Sequence, residues 1–406
     1  MLTTLVVALL AIIQAYALYA ALYTYYPMAG ALLGRFRPAN EQPTPDAPPP
    51  RLAVLIAAHN EEAVIGGAVT SLMQQRYPRG GFDVFVVADN CRDATAAIAR
   101  RAGATVYERF NGGGSTKGQA LAWMWGYVRQ FGYGGVVVLD ADNQADESFL
   151  TTIATELGRG HQAVQGIRRP KNEDAGGTAG LDALTELCTH RIGAAGRQRL
   201  GLNGPLMGSG VGYAAGLFDE LILSTGDTVV EDCEWQARLA LRKIAITWTD
   251  RAIIYDEKTS RADAMATQRD RWMAGRGQVA REYLGPCVRA FFREGNLNAL
   301  DMAAYLTTPP RILMLAMLGL LFLAALAGLP GVWPALIWFL GLAGFVAYVF
   351  LGLWLDGAPA SAYRRLGLGV LHLPRFTYNM VRSTWKAVSG AAVKWVPTPH
   401  GNGARG

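Results

Sequence analysis

Three features of the sequence predict an α/β domain on a mostly parallel sheet, flanked by one N-terminal and two C-terminal membrane spans. From Arg51 onward, short β-branched runs alternate with helical stretches, the rhythm of a parallel sheet wound with helices. Within that region, residues 136–143 read Val-Val-Val-Leu-Asp-Ala-Asp-Asn, an apolar run that suits a strand covered on both faces and that ends in two carboxylates. Outside it lie two long stretches without a charged side chain, residues 1–34 and 312–355.

The composition agrees with partial burial in lipid. Of 406 residues, 51% are hydrophobic and 17% charged, more apolar than an ordinary soluble enzyme. Residues 5–23 are long and apolar enough for one span, and no basic segment precedes them, so an uncleaved anchor over 1–34 is expected rather than a secretory signal. The run 312–355 would measure roughly 66 Å as one helix, about twice a hydrocarbon core. It must fold back, and Gly328, Pro330, Gly331 and Pro334 mark the turn of a two-span hairpin. Arg35 and Arg37 follow the first span, Arg311 precedes the second, and Arg364 and Arg365 follow the third. By the positive-inside rule the polar parts, including the sheet domain, are expected on the cytoplasmic side of the cell's inner or plasma membrane. After Asp356 there are seven basic residues and no acid, so the net charge of +6 resides in the tail. That points to anionic lipid headgroups as partners and away from nucleic acid. Cys91, Cys188, Cys233 and Cys287 have no metal-ligand or framework spacing and are expected as free thiols.

In chain order, the Pro-rich segment 35–50 is a stiff linker, and the sheet domain is expected over 51–285. Strands are expected at 52–58, 84–89, 105–107 and 136–140, with helices at about 62–75, 94–102 and 119–131. An interfacial segment at 286–311, the hairpin and a basic cytoplasmic tail at 356–406 follow. Within the tail, 366–396 mixes Leu, Phe, Tyr and Trp with Arg375, Arg382, Lys386 and Lys394, which suits a segment lying along the membrane face.

In an open α/β sheet, ligands sit beyond the carboxyl ends of the strands. Asp140 and Asp142 fall there, and two carboxylates so close call for a cation between them; a divalent ion backed by phosphate oxygens is one answer, an Asp-rich turn the other. Asp89 also ends a strand. The turn after the first strand reads His59-Asn60-Glu61-Glu62, which lacks the glycines of a dinucleotide fingerprint, and the Gly112 to Gly118 loop lacks the Gly-Lys-Ser/Thr order of a phosphate loop. Lys117 in that loop reads either as a charge for a diphosphate or as a solvated lysine. The glycines around Gly208 and Gly210 leave room for a ligand. Glu231 and Asp232 open a helix reaching about Leu241, where Asp232 is either a general base or a partner of the helix dipole. Gln268, Arg271 and Trp272 share a helix face, which suits either a sugar ring stacked near a phosphate or an ordinary Trp–Arg packing pair.

In this order, Ile56-Ala-Ala-His-Asn60-Glu61-Glu62, Val87-Ala-Asp89, Lys117-Gly118, Asp140-Ala-Asp142, Glu231-Asp232 and Gln268-Arg-Asp-Arg271-Trp272 resemble the family 2 inverting glycosyltransferases. The likeness is to the membrane-embedded branch of cellulose, chitin, hyaluronan and poly-N-acetylglucosamine synthases, and covers about residues 51–285. The resemblance implies a GT-A-like fold and transfer from a nucleoside-diphosphate sugar, UDP-linked, to a glycan acceptor, with processive synthesis as in those enzymes. It further implies that Glu61, Asp89, Lys117, Asp140, Gln268 and Arg271 bind the nucleotide sugar and that Asp140 and Asp142 hold Mg²⁺ or Mn²⁺. Asp232 would be the base, and Trp272, Glu231, Gly208 and Ser209 would meet the acceptor. Val230 replaces the usual Thr before Glu-Asp. Three spans are few for threading a polymer, so transfer of a single sugar to a lipid or glycolipid stands as the alternative. A silent sugar-nucleotide or polysaccharide sensor is the reading from another class, against which the intact Asp232 argues.

Overall fold

The computed structural model describes residues 2–36, 48–112, 115–171, 178–226, 228–256, 262–358 and 373–388. The expected linker over 35–50 and most of the basic tail therefore lie outside the described residues.

The β-branched runs form one eight-stranded sheet of order β3-β2-β1-β4-β7-β6-β8-β5. Its first half, β1 (Leu52–Ala58), β2 (Phe82–Asp89), β3 (Thr105–Arg109) and β4 (Gly135–Asp140), is wholly parallel. All four strands thus deliver their carboxyl ends to one rim. The second half is mixed, because β7 (Val211–Ala214) runs antiparallel to both β4 and β6 (Ala163–Pro170). β8 (Ile246–Asp256) then pairs parallel with β6, and the short β5 (Gln144–Ala145) antiparallel with β8. The alternating side chains feed two cores. Leu52, Val54, Ile56, Val137 and Leu139 pack under α2 (Ile65–Met73), α3 (Thr95–Arg101) and α5 (Phe149–Gly158). Leu55, Val87, Val136 and Val138 pack under α4 (Lys117–Val128), α8 (Ala215–Leu223) and α9 (Glu231–Leu241). Burial on both faces is what the unbroken apolar run of β4 foretold.

Between β6 and β7 the chain forms α6 (Thr178–Cys188), a π-helical turn (Thr189–Ala194) and α7 (Ala195–Arg199). After β8 come α10 (Ala262–Glu294), α11 (Leu297–Thr307), α12 (Arg311–Leu326), α13 (Ala335–Asp356) and α14 (Leu373–Val388). α10 runs without a break through Pro286, past the boundary the sequence suggested at 285. A proline there forfeits one backbone hydrogen bond; packing of Cys287 and Ala290 against Ala299, Met302 and Ala303 of α11 offsets it.

Two helices are long and apolar enough to cross a bilayer, α1 (Leu2–Phe36) over Thr4–Arg35 and α13. The expected hairpin forms, but its first arm, α12, has 16 residues and reaches only about 24 Å. It follows α11 through a 67° bend, so a third span exists only if that pair is taken as one. Apolar packing of Ala17, Ala20 and Ala21 with Met314, Leu318, Leu321 and Trp338 joins α1, α12 and α13.

Polar contacts fix the helices to one another and to the sheet domain. Tyr16 donates to the Thr307 carbonyl at 2.7 Å, Tyr25 to the Gly341 carbonyl at 2.8 Å, and Tyr26 to the Asp301 carboxylate. Arg197 of α7 meets the same Asp301 at 3.0 Å. At the end of α13, Asp356 is held by Arg169 of β6 at 2.9 Å and by Arg191 at 2.8 Å. The backbones of α1 and α7 touch where Gly30 crosses Gly196: a Cβ on Gly30 would strike the Gly196 carbonyl, and one on Gly196 the carbonyl of Pro27. Gly34 has room, with its nearest neighbour, Arg199, at 3.8 Å. Gly196→Val is therefore expected to destabilise the detergent-solubilised protein by about 1–3 kcal/mol or more through overpacking, while Gly34→Ala stays near wild type. Thermal unfolding of the two variants measures the difference.

Candidate active site

The site is built on the carboxyl rim of β1, β2 and β4. Where β1 and β2 end, Asn60 and Asn90 adopt left-handed backbone (φ 55° and 53°), a conformation Asn tolerates better than most residues. Their side chains stitch the rim: Asn60 Oδ1 accepts the Arg92 amide at 2.8 Å, and Asn90 Nδ2 donates to Asn111 at 2.8 Å. Glu61 is positioned by its own amide, which donates to Thr95 Oγ1 at 2.8 Å. Asp89 is buried and accepts from Arg109 at 3.0 Å and from Ser115.

Lys117 is not a solvated loop lysine. Thr116 caps α4 in a reciprocal box with Gln119, which starts the helix at Lys117 itself. The ammonium then reaches the Asp140 carboxylate and the Gly208 carbonyl, the latter at 2.6 Å. Burial works to lower its pKa, but Asp140 and Glu231 outweigh it and the pKa rises. Asp140 stands at the end of β4 and Asp142 in the turn beyond. Asp142 accepts from Asn143 at 3.0 Å, and Lys171 donates to its backbone carbonyl at 2.5 Å.

Ser209 departs from its expected place against the acceptor. It is fully buried, receives the Asp140 amide at 2.9 Å and donates to Asn143. Its role is to hold the turn that carries the two aspartates. Gly208 does border the site: at φ 71° its missing Cβ would lie 3.1 Å from Asp232 Oδ2. Glu231, also expected on the acceptor side, is buried against the amino end of α4, its Cβ 3.5 Å from where a Cβ on Gly118 would stand.

Asp232 is half-buried, and its Oδ1 accepts the Cys233 amide at 2.8 Å. Burial raises the pKa of its carboxyl, opposed by that amide and by Lys117 and Arg168. Val230 is explained by packing, because its methyls lie against Gly275 of α10, where a Cβ would come within 2.5 Å. A Thr hydroxyl would be spent on an apolar contact there. From α10, Arg271 faces Glu231, Asp140 and Asp232 and forms no hydrogen bond or ion pair with a described residue. Burial pushes its pKa down. Trp272 is 43% exposed, which leaves an indole face open. Gln268 lies one turn earlier, half-buried.

The structure thus gathers Lys117, Asp140, Gly208, Glu231, Asp232 and Arg271, with Glu61 and Asp89 on the rim nearby. Sequence reasoning missed Arg168, which is paired with Glu186 and whose charge reaches Asp232 and Asp140. The signal was present, since Arg168 and Arg169 close a strand on the ligand side of the sheet. All four cysteines are free thiols, three of them buried.

Burial, then Asp232, hold the Glu231 carboxyl up to about 7 although Lys117 lowers it. The folded state therefore binds that proton more tightly than the unfolded state between 4.5 and about 7. The associated stability is full at the acid end of the window and lost as pH rises through it. Raising pH from about 5 to 8 is expected to lower the melting temperature of wild type more than that of Glu231→Gln. Differential scanning fluorimetry in chelator compares the two slopes.

Residues 49–275, more than half of the chain, match the family Glycosyltransferase like family 2. Among curated proteins, the chain is similar to β-monoglucosyldiacylglycerol synthase of Trichormus variabilis, with 24% identity over 67% of this chain and 58% of that one. It is also similar to the probable glycosyltransferase YdaM of Bacillus subtilis, with 23% identity over 58% of this chain and 57% of that one. The chain thus spans under three-fifths of the length of these relatives. In structure it resembles the mannosyltransferase PcManGT of Pyrobaculum calidifontis, determined with GDP-Man and Mn²⁺. The TM-score is 0.58 at 17% identity, covering 93% of this chain and all of that one, a likeness of GT-A fold. With its parallel rim, its paired aspartates and this match, the chain belongs to the family 2-like glycosyltransferases.

Proposed function

We propose that this glycosyltransferase is a membrane-bound inverting enzyme that moves one sugar from a nucleoside-diphosphate sugar to a lipid acceptor, working on the cytoplasmic face. The observation that carries this reading is the position of Trp272. Its neighbour Met273 packs on Met380 together with Leu181, Ile312 and Leu313, the last two near the start of the apolar helix α12. The acceptor side of the site therefore adjoins the point where chain enters the bilayer, within reach of a lipid headgroup. Two further facts favour it over processive synthesis. The described helices α1, α12 and α13 pack on one another through Ala17, Ala20, Ala21, Met314, Leu318, Leu321 and Trp338, an apolar contact and not a polar lining. Curated relatives include a synthase named for a glucosylated diacylglycerol.

In this reading Asp232 accepts the proton of the acceptor hydroxyl, whose oxygen attacks the anomeric carbon as the bond to the diphosphate breaks. The electron pair leaves on the diphosphate and the configuration inverts. The raised pKa brings the base closer to the operating pH. Arg271, lacking a protein partner among the described residues, is available for the departing diphosphate, and Lys117 adds charge beside it. Such charge stabilises the transition state more than the ground state.

Asp140 and Asp142 fit Mg²⁺ or Mn²⁺. Both offer hard oxygen donors on one turn, and among the described residues no third His, Cys, Asp or Glu joins them, which leaves positions for phosphate oxygens and water. When bound, the ion neutralises charge on the leaving diphosphate.

The test is to reconstitute the protein in nanodiscs containing diacylglycerol, supply a panel of nucleotide sugars, and read both nucleoside diphosphate and lipid product. A product carrying one sugar that does not lengthen with time is expected, and excess chelator should stop its formation; a lengthening ladder would refute single transfer. Asp232→Asn should cut turnover by about 10²-fold or more while calorimetric affinity for the nucleoside diphosphate stays near wild type. An active Asp232→Asn would return Asp232 to a helix-dipole role and refute its assignment as the base.

A further inference from the structure

The helix α14 has two unlike faces. Inward, Met380 is buried against Met273, Ile312 and Leu313. On the same side Ser383 and Lys386 both donate to Asp270, one to each carboxylate oxygen, with Lys386 Nζ at 2.5 Å. Asp270 is itself buried and sits between Arg269 and Arg271 on α10. Outward, Tyr378, Val381, Arg382 and Trp385 fall at i, i+3, i+4 and i+7, one continuous helix face. Tyr378 is 68% exposed, Val381 53% and Trp385 73%. An ordinary water-facing helix surface does not concentrate two aromatic rings and a branched aliphatic on one stripe.

Three observations identify what covers that stripe. Met380 touches Ile312 and Leu313, so α14 packs where the apolar stretch of α12 begins. Tyr and Trp suit the bilayer interface, where a ring can be buried while its polar edge stays wet. The segment from 357 to the end is basic throughout and holds no acid, which complements anionic headgroups.

We infer that α14 is an interfacial latch: its Tyr378–Val381–Arg382–Trp385 face lies in the headgroup layer of an anionic bilayer, and its Ser383 and Lys386 grip on Asp270 fixes the turn of α10 that presents Arg271 and Trp272. The clamp is one of three on the same stretch of α10. Met273 is the second, and Arg276 the third, since its guanidinium donates to the carbonyls of Tyr305 and Thr308 at the bend between α11 and α12. Bilayer contact thus reaches the acceptor helix through Asp270, a positioning residue that touches neither substrate. The activity part of this inference rests on the assignment of Arg271 and Trp272 proposed above; the surface part does not.

Two measurements on the full chain in nanodiscs separate the parts. For the surface, Val381→Cys in a Cys91→Ser background carries a nitroxide, compared with the same label at the exposed Arg79→Cys. Oxygen should relax the label at 381 more than a water-soluble nickel chelate does. Nickel access equal to that at position 79, or cross-linking of two copies through position 381, would overturn the bilayer assignment. For the latch, Tyr378→Ser/Trp385→Ser should lose about 10-fold in turnover in phosphatidylglycerol discs, falling toward the rate in phosphatidylcholine alone, a size typical of misplaced binding groups. Lys386→Met should lower kcat by a similar factor with label depth unchanged, and Lys386→Arg should restore it. Wild-type kcat in Lys386→Met with an unchanged melting temperature would overturn the latch. Absence of turnover by wild type with every donor would overturn the catalytic reading instead, and the nitroxide depth would still decide the surface.

Discussion

The lysine at the start of α4 is the interaction on which the site depends. Asp140, Glu231 and Asp232 approach one another from a strand end and a helix amino terminus, and carboxylates brought together repel unless cations intervene. Lys117 answers that repulsion on the protein side, binding the Asp140 carboxylate and the Gly208 carbonyl at once. It thereby ties α4, β4 and the glycine segment together with one charge. Removing the cation would leave buried negative charge uncompensated, which costs more than the pair itself contributes. Arg168 and Arg271 complete the balance from two other elements.

Much of this was legible because strands announce themselves by composition and their ends by the first acid. The run into Asp140 gave both the strand and its rim, and Glu231 was recognisable as a helix start. What could not be read were contacts across long sequence separations. Lys117 looked like a loop residue because its second partner, Gly208, is 91 positions away. Ser209 looked open to ligand because it stands between glycines, yet those glycines let the chain fold tightly enough to bury it. The boundary expected at 285 falls inside α10, because a helix packed along its length tolerates the one hydrogen bond missing at Pro286. Val230 stands where a Thr is usual, which questions a hydroxyl contact, and Gly275 is what its methyls pack against.

The long apolar helix α13 is tied to the sheet by charge. Asp356 places the end of α13 between Arg169 and Arg191, and Arg169 neighbours Arg168, whose charge acts on Asp232. A buried carboxylate shared by two arginines is costly to break. The sheet and the apolar helix α13 are thus tied together at the end of β6, and α10 makes a second connection from α9 to α11.

The tyrosine ladder of α1 sets the order in which this chain can be completed. Tyr16 and Tyr26 find their partners, the Thr307 carbonyl and Asp301, 291 and 275 positions downstream. A ribosome adding roughly 5–20 residues per second needs on the order of tens of seconds to make that stretch. During that time the tyrosine hydroxyls of α1 are without the carbonyl and carboxylate that will receive them, while the sheet domain is made between. α1 is thus made before the sheet domain yet completes these polar contacts only after α11 has followed, so until then apolar surface is what it offers its surroundings.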